Sequence, residues 1–582
     1  MIKDISVMIA GQAGDGVLFT GNVLARILKK EGWEVAAHRY FPSNIRGEPT
    51  QYTIRASQKK VFGLGNEINV LLSFDCESII KYTKLITQGG IVLCDGEELS
   101  RLKPSHKKGK AFHMLPLKIL AEKHFKDDIF KNMIALGALC YILDLDFGLI
   151  ERIIINAFLK KKGKEIVRMN IDAINLGCEQ ARSIVEPSMR HLLVKKKDTG
   201  KMFISGDEAI AVGVLAAGCR FFAAYPICPA TEIWQWLALH FPEFNGLVVQ
   251  AEDELAAINM ALGASYAGTR AMTSTSGPGG SLMMESYGLS GMAEIPIVIV
   301  DVQRVGPSTG MPTKTEQSDL NLWIYGSHGE FPRIILSPGT VTECFDFTVK
   351  AFDLAEKYQV PVILLTEQDF GQNYRTVKKF DLSKIKIDRG KLLSEEELKN
   401  IKDYKRYAFT SNGISPRALP SMSNGIHMVE GNEHDEKGYR NEDPENRIRM
   451  MQKRMGKISG SAKDMIPPKL WGDKQAAVGI VGFGSTLGSI VETIEELGDL
   501  NIRAKNLQIR TVWPFPAEAV RDFIQSCESV FVVENNYSGQ LHDLIHSQVK
   551  PEARMQKIVN YSSVAFRPSD ISTQIKRAVR NA

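Results

Sequence analysis

Residues 221–237 read FFAAYPICPATEIWQWL. An apolar run, Phe221 to Ala224, meets two prolines, Pro226 and Pro229, and then a segment patterned as a helix with Trp234 and Trp236. Proline has no N–H for a sheet ladder and fixes φ, so a central strand must stop near Ala224. Tyr225-Pro226-Ile227-Cys228-Pro229 is then a stiff loop, and Ala230-Thr231-Glu232 opens a helix. Strand, rigid loop and helix make up the repeating unit of an α/β sheet. Ligands in open α/β sheets sit where such strands end.

The same scheme recurs on both sides. Upstream, ISVMIAG (Ile5–Gly11) is a buried-strand run, and GQAGDGVLFTGNVLARIL turns on glycines into a helix with apolar spacing at Val17, Leu18, Val23, Leu24, Ile27 and Leu28. Further strands are expected at 33–40, 51–56, 68–74 and 90–95. Downstream, GLVVQAEDELAAINMALGASYAG and RAMTSTSGPGGSLMMESYGLSGMAEIPIVIVDVQR each read strand, turn, helix, and VPVILLTEQDF (Val360–Phe370) adds a strand. AAVGIVGFGSTLGSIVETIEEL begins a last unit of the same kind. The expected fold class is therefore multidomain α/β. Five stretches are expected: a first α/β domain over 1–186, a linker over 187–200, a second α/β domain over 201–377, a polar connection over 378–470 and a compact α/β domain over 471–582. In the connection, Tyr404, Tyr407, Ile414 and Met428 are expected to pack on a neighbour, and a helix is expected from Pro444 to Lys457.

At 582 residues the chain exceeds what one core supports, since cores stop growing near roughly 250–300 residues. With 44% hydrophobic and 24% charged residues it has the composition of a globular protein. A net charge of +5 spread over that length argues against nucleic acid as a partner. No apolar run reaches the roughly 18–20 residues that span a membrane. MIKDISVMIAG carries an acid and enters a strand pattern at once, unlike a signal peptide. The eight cysteines include no C-x-x-C pair, so no local zinc or iron–sulfur framework is expected and no metal ligand is assigned. Scattered single cysteines suit a reducing cytoplasm.

Four places carry chemistry. Gly11, Gly14 and Gly16 form G-x-x-G-x-G between a strand and a helix, a spacing that lets backbone approach a phosphate at a helix N-terminus. It also suits a plain tight turn, and it is not the dinucleotide spacing. Arg46 and Arg55 follow in SNIRGEPTQYTIRAS and would favour a phosphorylated ligand at the same sheet edge. Glu252, Asp253 and Glu254 stand at a strand–helix junction. Acids there often only complement the helix dipole, but Glu254 leads a helix almost without polar residues, where a buried carboxylate is costly unless it meets a partner. Ser276 and Gly277, in TSTSGPGGSLMMESYG, let something flat or anionic approach the backbone, or make a simple turn. DVQRVGPSTGMPTKTEQSDL sets Arg304, Ser308, Thr309, Thr313, Lys314 and Thr315 at a strand's C-terminal end, and an arginine there suits a carboxylate.

Taken in order, YPICPATEI, AEDELAAINMALGASYAG, TSTSGPGGSLMMESYGL, VQRVGPSTGMPTKTEQSDL, GNEHDEKG and VVENNYSGQL resemble the motifs of the 2-oxoacid:ferredoxin oxidoreductases, which are thiamine-diphosphate enzymes. The resemblance covers nearly the whole chain. It implies an α subunit with a fused N-terminal γ-type domain, as in 2-oxoglutarate synthase α chains, followed by a pyrimidine-type thiamine-diphosphate domain and a transketolase C-terminal-like domain. It implies CoA-dependent oxidative decarboxylation of a 2-oxoacid, 2-oxoglutarate first, to acyl-CoA and CO2 with reduction of ferredoxin, or the reverse carboxylation. By this resemblance Glu254 faces N1′ of the aminopyrimidine. Tyr225, Pro226, Ile227, Cys228, Ser276 and Gly277 line the cofactor, and Cys228, Arg304 and Thr313 hold the 2-oxoacid. The glycines Gly11, Gly14 and Gly16, with Arg46, meet coenzyme A. Cys228 stands where the family has threonine, and a thiol is a weaker donor than a hydroxyl.

A diphosphate–Mg2+ site is usually marked by G-D-G followed by a pair of asparagines. The one such triplet, Gly14-Asp15-Gly16, lies in the first glycine turn without that pair, and CDGEELS lacks the first glycine. The resemblance therefore implies a β subunit that shares the thiamine diphosphate and carries the Mg2+ and the iron–sulfur cluster, in a cytoplasmic (αβ)2 assembly that also meets ferredoxin. The competing readings are a non-redox thiamine enzyme chain and a catalytically silent subunit that binds acyl-CoA or a partner.

Overall fold

The computed structural model describes residues 2–42, 49–194, 197–551 and 555–580. The chain folds as two compact units, Met1–Ile204 with Asn373–Lys379, and Ser205–Gln372 with Phe380–Ala582. No helix among the described residues is long and apolar enough to cross a membrane.

The first unit is built on a mixed sheet. Among the described residues its strands run in the order Ala111–Met114, Ile86–Cys94, Ile68–Ser73, Asp4–Gly11, Thr50–Ser57, Glu34–Tyr40, Tyr374–Val377 and Met202–Ser205. Asp4–Gly11 is parallel to Ile68–Ser73 and antiparallel to Thr50–Ser57, in a register that pairs Gly11 with Thr50 and Ser6 with Arg55. The periodic apolar residues of Val17–Lys30 are buried, among them Val17, Val23, Leu24, Ile27 and Leu28, each contributing about 2 kcal/mol of transfer free energy. Helix Lys131–Leu143 crosses Phe147–Ile184 where both carry glycine. A Cβ on Gly137 would come 2.0 Å from the carbonyl oxygen of Ile174, and one on Gly177 would come 1.9 Å from that of Ile134. One strand is contributed from far along the chain. Tyr374–Val377 pairs antiparallel with Glu34–Tyr40, and Val35 N donates to Thr376 Oγ1 at 2.9 Å.

The second unit holds two sheets. The larger runs Thr511–Trp513, Ile334–Leu336, Pro361–Glu367, Ile297–Gln303, Ala271–Thr275, Phe221–Ala224, Leu247–Gln250. Its pairs are parallel except the one that brings in Thr511–Trp513. The central strand Ile297–Gln303 is buried along its whole length, which is why it reads as a continuous apolar run interrupted only by Asp301. The smaller sheet runs Lys469–Gly472, Ala504–Ile509, Val478–Phe483, Ser529–Glu534, Met555–Val559.

The polar connection contributes to the sheets only the start of edge strand Lys469–Gly472 and is nonetheless packed. Tyr404, Tyr407 and Ile414 are buried as expected, whereas Met428 is 48% exposed, because its segment runs over the surface. The expected helix forms over Pro444–Gly456. Asp443 caps it, accepting from Asn446 N at 3.0 Å, and Pro444 takes the first turn where its missing N–H costs nothing.

Candidate functional site

Strand Phe221–Ala224 stops where the prolines require, and the loop beyond it is held from two sides. Thr231 N donates to Ile227 O at 3.0 Å, and Arg304 Nη1 donates to Cys228 O at 2.7 Å. Tyr225 is exposed, while Pro226, Ile227 and Cys228 are half-buried. The Cys228 thiol accepts a long contact from Gln372 Nε2 at 3.9 Å, and burial pushes its pKa up to about 11. It is therefore a neutral, weakly bonding group.

The three acids at the next strand end part company. Glu252 is exposed. Asp253 is the helix N-cap and accepts from Ala256 N at 2.7 Å. Glu254, the first helical residue, is buried at 6% exposure. Burial raises its pKa, with help from Asp253 and against its own N–H and Arg304. Its Oε1 lies over Gly279, where a Cβ would come 2.5 Å from it and 2.1 Å from Thr275 Oγ1. Two residues earlier, a Cβ on Gly277 would come 2.7 Å from Asp319 Oδ2. Side chains at either glycine would fill the space over these carboxylates. Ser276 Oγ is fully buried and has no hydrogen-bond partner among the described residues.

Arg304 follows the central strand directly and is 6% exposed. Besides Cys228 O it donates from Nη2 to Thr309 O at 3.1 Å, so it ties the proline loop to its own loop. That loop folds back on itself through Val305 and Met311, and Gly310 is needed there, since a Cβ would meet Val305 O at 1.8 Å. Thr313 is buried in the same loop, but its hydroxyl has no hydrogen bond to Arg304 or Cys228 among the described residues. The structure thus brings Glu254, Arg304, Cys228, Ser276 and Gly277 to one strand-end site and sets Thr313 beside it.

The loop's far end is gripped by the smaller sheet. Gln317 N donates to Asn535 O at 2.7 Å, Asn535 N returns to Gln317 Oε1 at 3.0 Å, and Asn536 Nδ2 reaches Gln317 O at 3.0 Å. Glu534, fully buried, accepts from Leu541 N at 2.7 Å and His542 N at 2.9 Å and so fixes the turn that carries these asparagines. Asp301 and Asp319 are the residues of this site that sequence reasoning passed over. The signal for Asp301 was available, since it is an acid inside an otherwise apolar strand.

In the first unit, Gly14 and Gly16 adopt φ of 102° and 81°, and Gly16 caps helix Val17–Lys30 with no side chain in the way. Gln12, Ala13, Gly14, Gly16, Phe19 and Phe41 line a depression of about 480 Å3 beside that helix start. Gly11 ends the strand behind it. Arg46 lies outside the described residues. Arg55 does not gather here: its register partner is Ser6, at the far end of the strand from Gly11, and it pairs with Asp4 at 3.0 Å. Asp15, the acid of the G-D-G triplet, is taken up by Gln12 N at 2.7 Å and Lys131 at 2.9 Å, an arrangement of a loop brace and not of a Mg2+ ligand.

The buried strand-end carboxylate, the bare glycine backbone beside it and the unpartnered Ser276 hydroxyl fit an aminopyrimidine and its linker. They define the class, an α/β domain for thiamine diphosphate. Comparisons with known proteins agree. Residues 212–453 match the family described as "Pyruvate flavodoxin/ferredoxin oxidoreductase, thiamine diP-bdg". Residues 6–180 match "Pyruvate ferredoxin/flavodoxin oxidoreductase", and 476–571 match "Pyruvate:ferredoxin oxidoreductase core domain II". The chain is 33% identical to a 2-oxoacid:ferredoxin oxidoreductase subunit alpha of Aeropyrum pernix, over 99% of this chain and 97% of that one. It is 36% identical to the 2-oxoglutarate synthase subunit KorA of Methanothermobacter marburgensis, over 65% of this chain and 99% of that one. Its fold superposes with a TM-score of 0.93, at 33% identity and 100% of both chains, on the 2-oxoglutarate:ferredoxin oxidoreductase from Magnetococcus marinus, solved with 2-oxoglutarate, coenzyme A and succinyl-CoA bound. The chain belongs to the 2-oxoacid:ferredoxin oxidoreductase family, and the relatives it spans almost end to end are α subunits.

Proposed function

We propose that this α subunit, together with a β subunit, oxidatively decarboxylates 2-oxoglutarate in the presence of coenzyme A, yielding succinyl-CoA, CO2 and two reduced ferredoxins. The reverse carboxylation uses the same groups. The observation that carries the reading is the convergence of Glu254, buried and raised in pKa, with Arg304 around the proline-braced loop. The 2-oxoglutarate and coenzyme A found in the relative's structure, and the 2-oxoglutarate synthase among the relatives, support the substrate choice.

When bound, thiamine diphosphate supplies a nucleophilic thiazolium carbon and accepts the electrons released as CO2 leaves. This chain's residues prepare that chemistry. Glu254, whose carboxyl burial pushes up, is suited to share a proton with the aminopyrimidine N1′. Arg304 takes the 2-oxoacid carboxylate with the N–H groups that its two carbonyl contacts leave over. The loop Tyr225–Cys228, stiffened by proline, lies over the reacting carbon and excludes water at little entropic cost. Cys228 adds shape more than hydrogen bonding, and Thr313 helps to hold the 2-oxoacid. Ser276 and Gly277 line the cofactor. In this reading the β subunit supplies the Mg2+ and the iron–sulfur cluster, in an (αβ)2 cytoplasmic assembly, and Asp15, braced by Lys131, is not a Mg2+ ligand. The glycine turn Gly11–Gly16, with Arg46, receives the phosphates of coenzyme A at the helix start.

The test is co-expression with a β subunit, anaerobic purification, and CoA-dependent viologen reduction over a panel of 2-oxoacids. 2-Oxoglutarate is expected to give the highest kcat/KM, and Glu254→Gln is expected to abolish turnover with assembly intact. Full turnover by Glu254→Gln would remove the N1′ assignment, and a higher kcat/KM for a monocarboxylic 2-oxoacid would remove the substrate choice.

A further inference from the structure

The motif VVENNYSGQL supplies none of the groups assigned to the strand-end site, yet its polar side chains are buried and bonded. Glu534 ends strand Ser529–Glu534, and its Oε2 accepts from Leu541 N at 2.7 Å and from Asn536 Nδ2 at 2.9 Å. Asn536 Oδ1 accepts from Gly539 N at 2.8 Å, and Gly539 adopts a φ of 79° ahead of helix Gln540–Val549. A side chain rarely adopts that φ, so glycine is what lets the chain turn so tightly there. Asn535 and Asn536 are buried in this turn, whereas Tyr537 between them and Gly539 faces outward at 75% exposure.

What the turn holds is the end of the Arg304 loop. Beyond the three bonds between Gln317 and the asparagines, Asn535 Nδ2 donates to Thr315 O at 3.3 Å and Gln540 Nε2 to Ser318 O at 2.8 Å. Gln540 Oε1 accepts from Asn321 N at 2.9 Å, just past the loop. The held segment in turn brackets Arg304. Asp319 N donates to Oε1 of Gln303, the residue before Arg304, at 3.0 Å. Glu316 Oε2 accepts from the N–H of Gly306, two residues after Arg304, at 3.2 Å. Val305 N, between them, donates to Lys314 O at 3.3 Å. A guanidinium on a long side chain is aimed by where its backbone and its anchors lie, and one of its two anchors, Thr309 O, belongs to the same loop.

We propose that the turn Asn535–Gln540 is the positioning element for the 2-oxoacid, with Asn536 and Gln540 setting Arg304 in place through the segment Thr315–Asp319. Both are positioning residues acting through Arg304, and the inference rests on the reading of Arg304 as the carboxylate site. The domain of the smaller sheet thereby serves substrate capture without touching the substrate. Among the described residues no hydrogen bond runs from the turn to Glu254, Ser276 or Gly277. Loosening the turn therefore weakens the hold on the 2-oxoacid and spares the groups assigned to the cofactor.

The experiment is steady-state kinetics of the assembled enzyme, with 2-oxoglutarate varied at saturating coenzyme A and then the reverse. Asn536→Ala removes the donor to Gln317 O and is expected to raise KM for 2-oxoglutarate about tenfold or more, while kcat and the KM for coenzyme A stay within about threefold. Gln540→Ala, at a half-buried helix start, should raise the same KM about three- to tenfold, and it decides if Asn536→Ala fails to assemble. Tyr537→Ala alters the same turn on its outward side and should leave KM within about twofold. An unfolded fraction lowers kcat and does not move KM, so general damage would not give this pattern. The sharper readout is the double variant with Arg304→Ala. If the turn acts through Arg304, adding Asn536→Ala or Gln540→Ala to Arg304→Ala lowers kcat/KM by no more than about a further twofold. The proposal is overturned by equal losses with and without Arg304, by a KM within about twofold of wild type in the turn variants, or by a Tyr537→Ala effect as large as theirs. If Arg304→Ala itself leaves KM unchanged, the carboxylate reading falls and takes this proposal with it. If it raises KM and the turn variants do not, only the positioning role falls.

Discussion

Two buried carboxylate clusters lie in the second unit, and they have opposite characters. Glu294, fully buried, receives Lys453 Nζ at 2.6 Å and Lys457 Nζ at 2.5 Å, while Arg406 Nη2 donates to its backbone oxygen at 2.7 Å. Burial alone would raise its pKa, but the two ammoniums outweigh that and hold it well below the usual carboxylate range. The strain passes to the cations, and burial pulls Lys457 down to about 7. Asp301 is as deeply placed and Asp319 is half-buried, neither has a lysine as Glu294 does, and both are raised. Glu294 and Asp301 are both fully buried, so burial does not decide the direction. The partner does. Glu294 fastens the polar connection to the body of its unit, whereas the aspartates stand at a strand end and in the loop that follows Arg304.

The sharpest way to break that comparison is to make the same substitution, acid to amide, on both sides. Glu294→Gln leaves two buried lysines without a counter-charge and is expected to cost about 3–5 kcal/mol. A thermal scan would show it as a large drop in Tm, and a drop of less than about 1 kcal/mol would mean the cluster is not what holds the connection. Glu367 sharpens the comparison along the pH axis. It accepts from Gln317 Nε2 at 2.5 Å and from Ser485 N at 3.2 Å, and burial pushes it up to about 8 from an ordinary 4.5. Between those two values the folded chain keeps the proton and the unfolded chain does not. Wild type is therefore expected to lose stability relative to Glu367→Gln as pH rises through that window, by up to about 1.4 kcal/mol per pH unit. A stability difference that is flat in pH would show that Glu367 is ionised in the fold.

Asp319→Asn is the counterpart of Glu294→Gln and should change stability little, between neutral and about 1 kcal/mol more stable, because it relieves repulsion and breaks no ion pair. A loss comparable to that of Glu294→Gln would erase the distinction between the clusters. The smallest effect is expected at Cys228. Restoring a hydroxyl with Cys228→Thr adds one ordinary hydrogen bond beside a site built on charge, so KM for the 2-oxoacid should fall roughly two- to tenfold. An unchanged KM would place the carboxylate out of reach of that side chain.

Much of the site could be read along the chain. Pro226 and Pro229 ended a strand and stiffened a loop through φ and a missing N–H, both properties of single residues. Glu254 stood out because it headed a nearly apolar helix, but Glu252 and Asp253 could be set aside only once one was seen exposed and the other capping the helix. Arg46 and Arg55 looked alike as cations after a glycine turn. Register alone put Arg55 at the wrong end of its strand. Asp301 was visible as an acid in an apolar strand, whereas Asp319 is an ordinary loop acid until the chain folds.

What the sequence determined by itself is what short-range physics controls. Apolar periodicity set the strands and helices, glycine and proline set the turns between them, and together these specified a multidomain α/β chain. Only the tertiary structure decided which distant pieces meet. It placed Tyr374–Val377 in the first unit's sheet, brought Lys453 and Lys457 to Glu294, closed Asn535 and Asn536 on Gln317, and set Asp319 on Gln303. Such contacts depend on the complementarity of surfaces far apart in the chain. Residue spacing does not record complementarity, whereas a proline or a helical stripe acts within a few residues of itself.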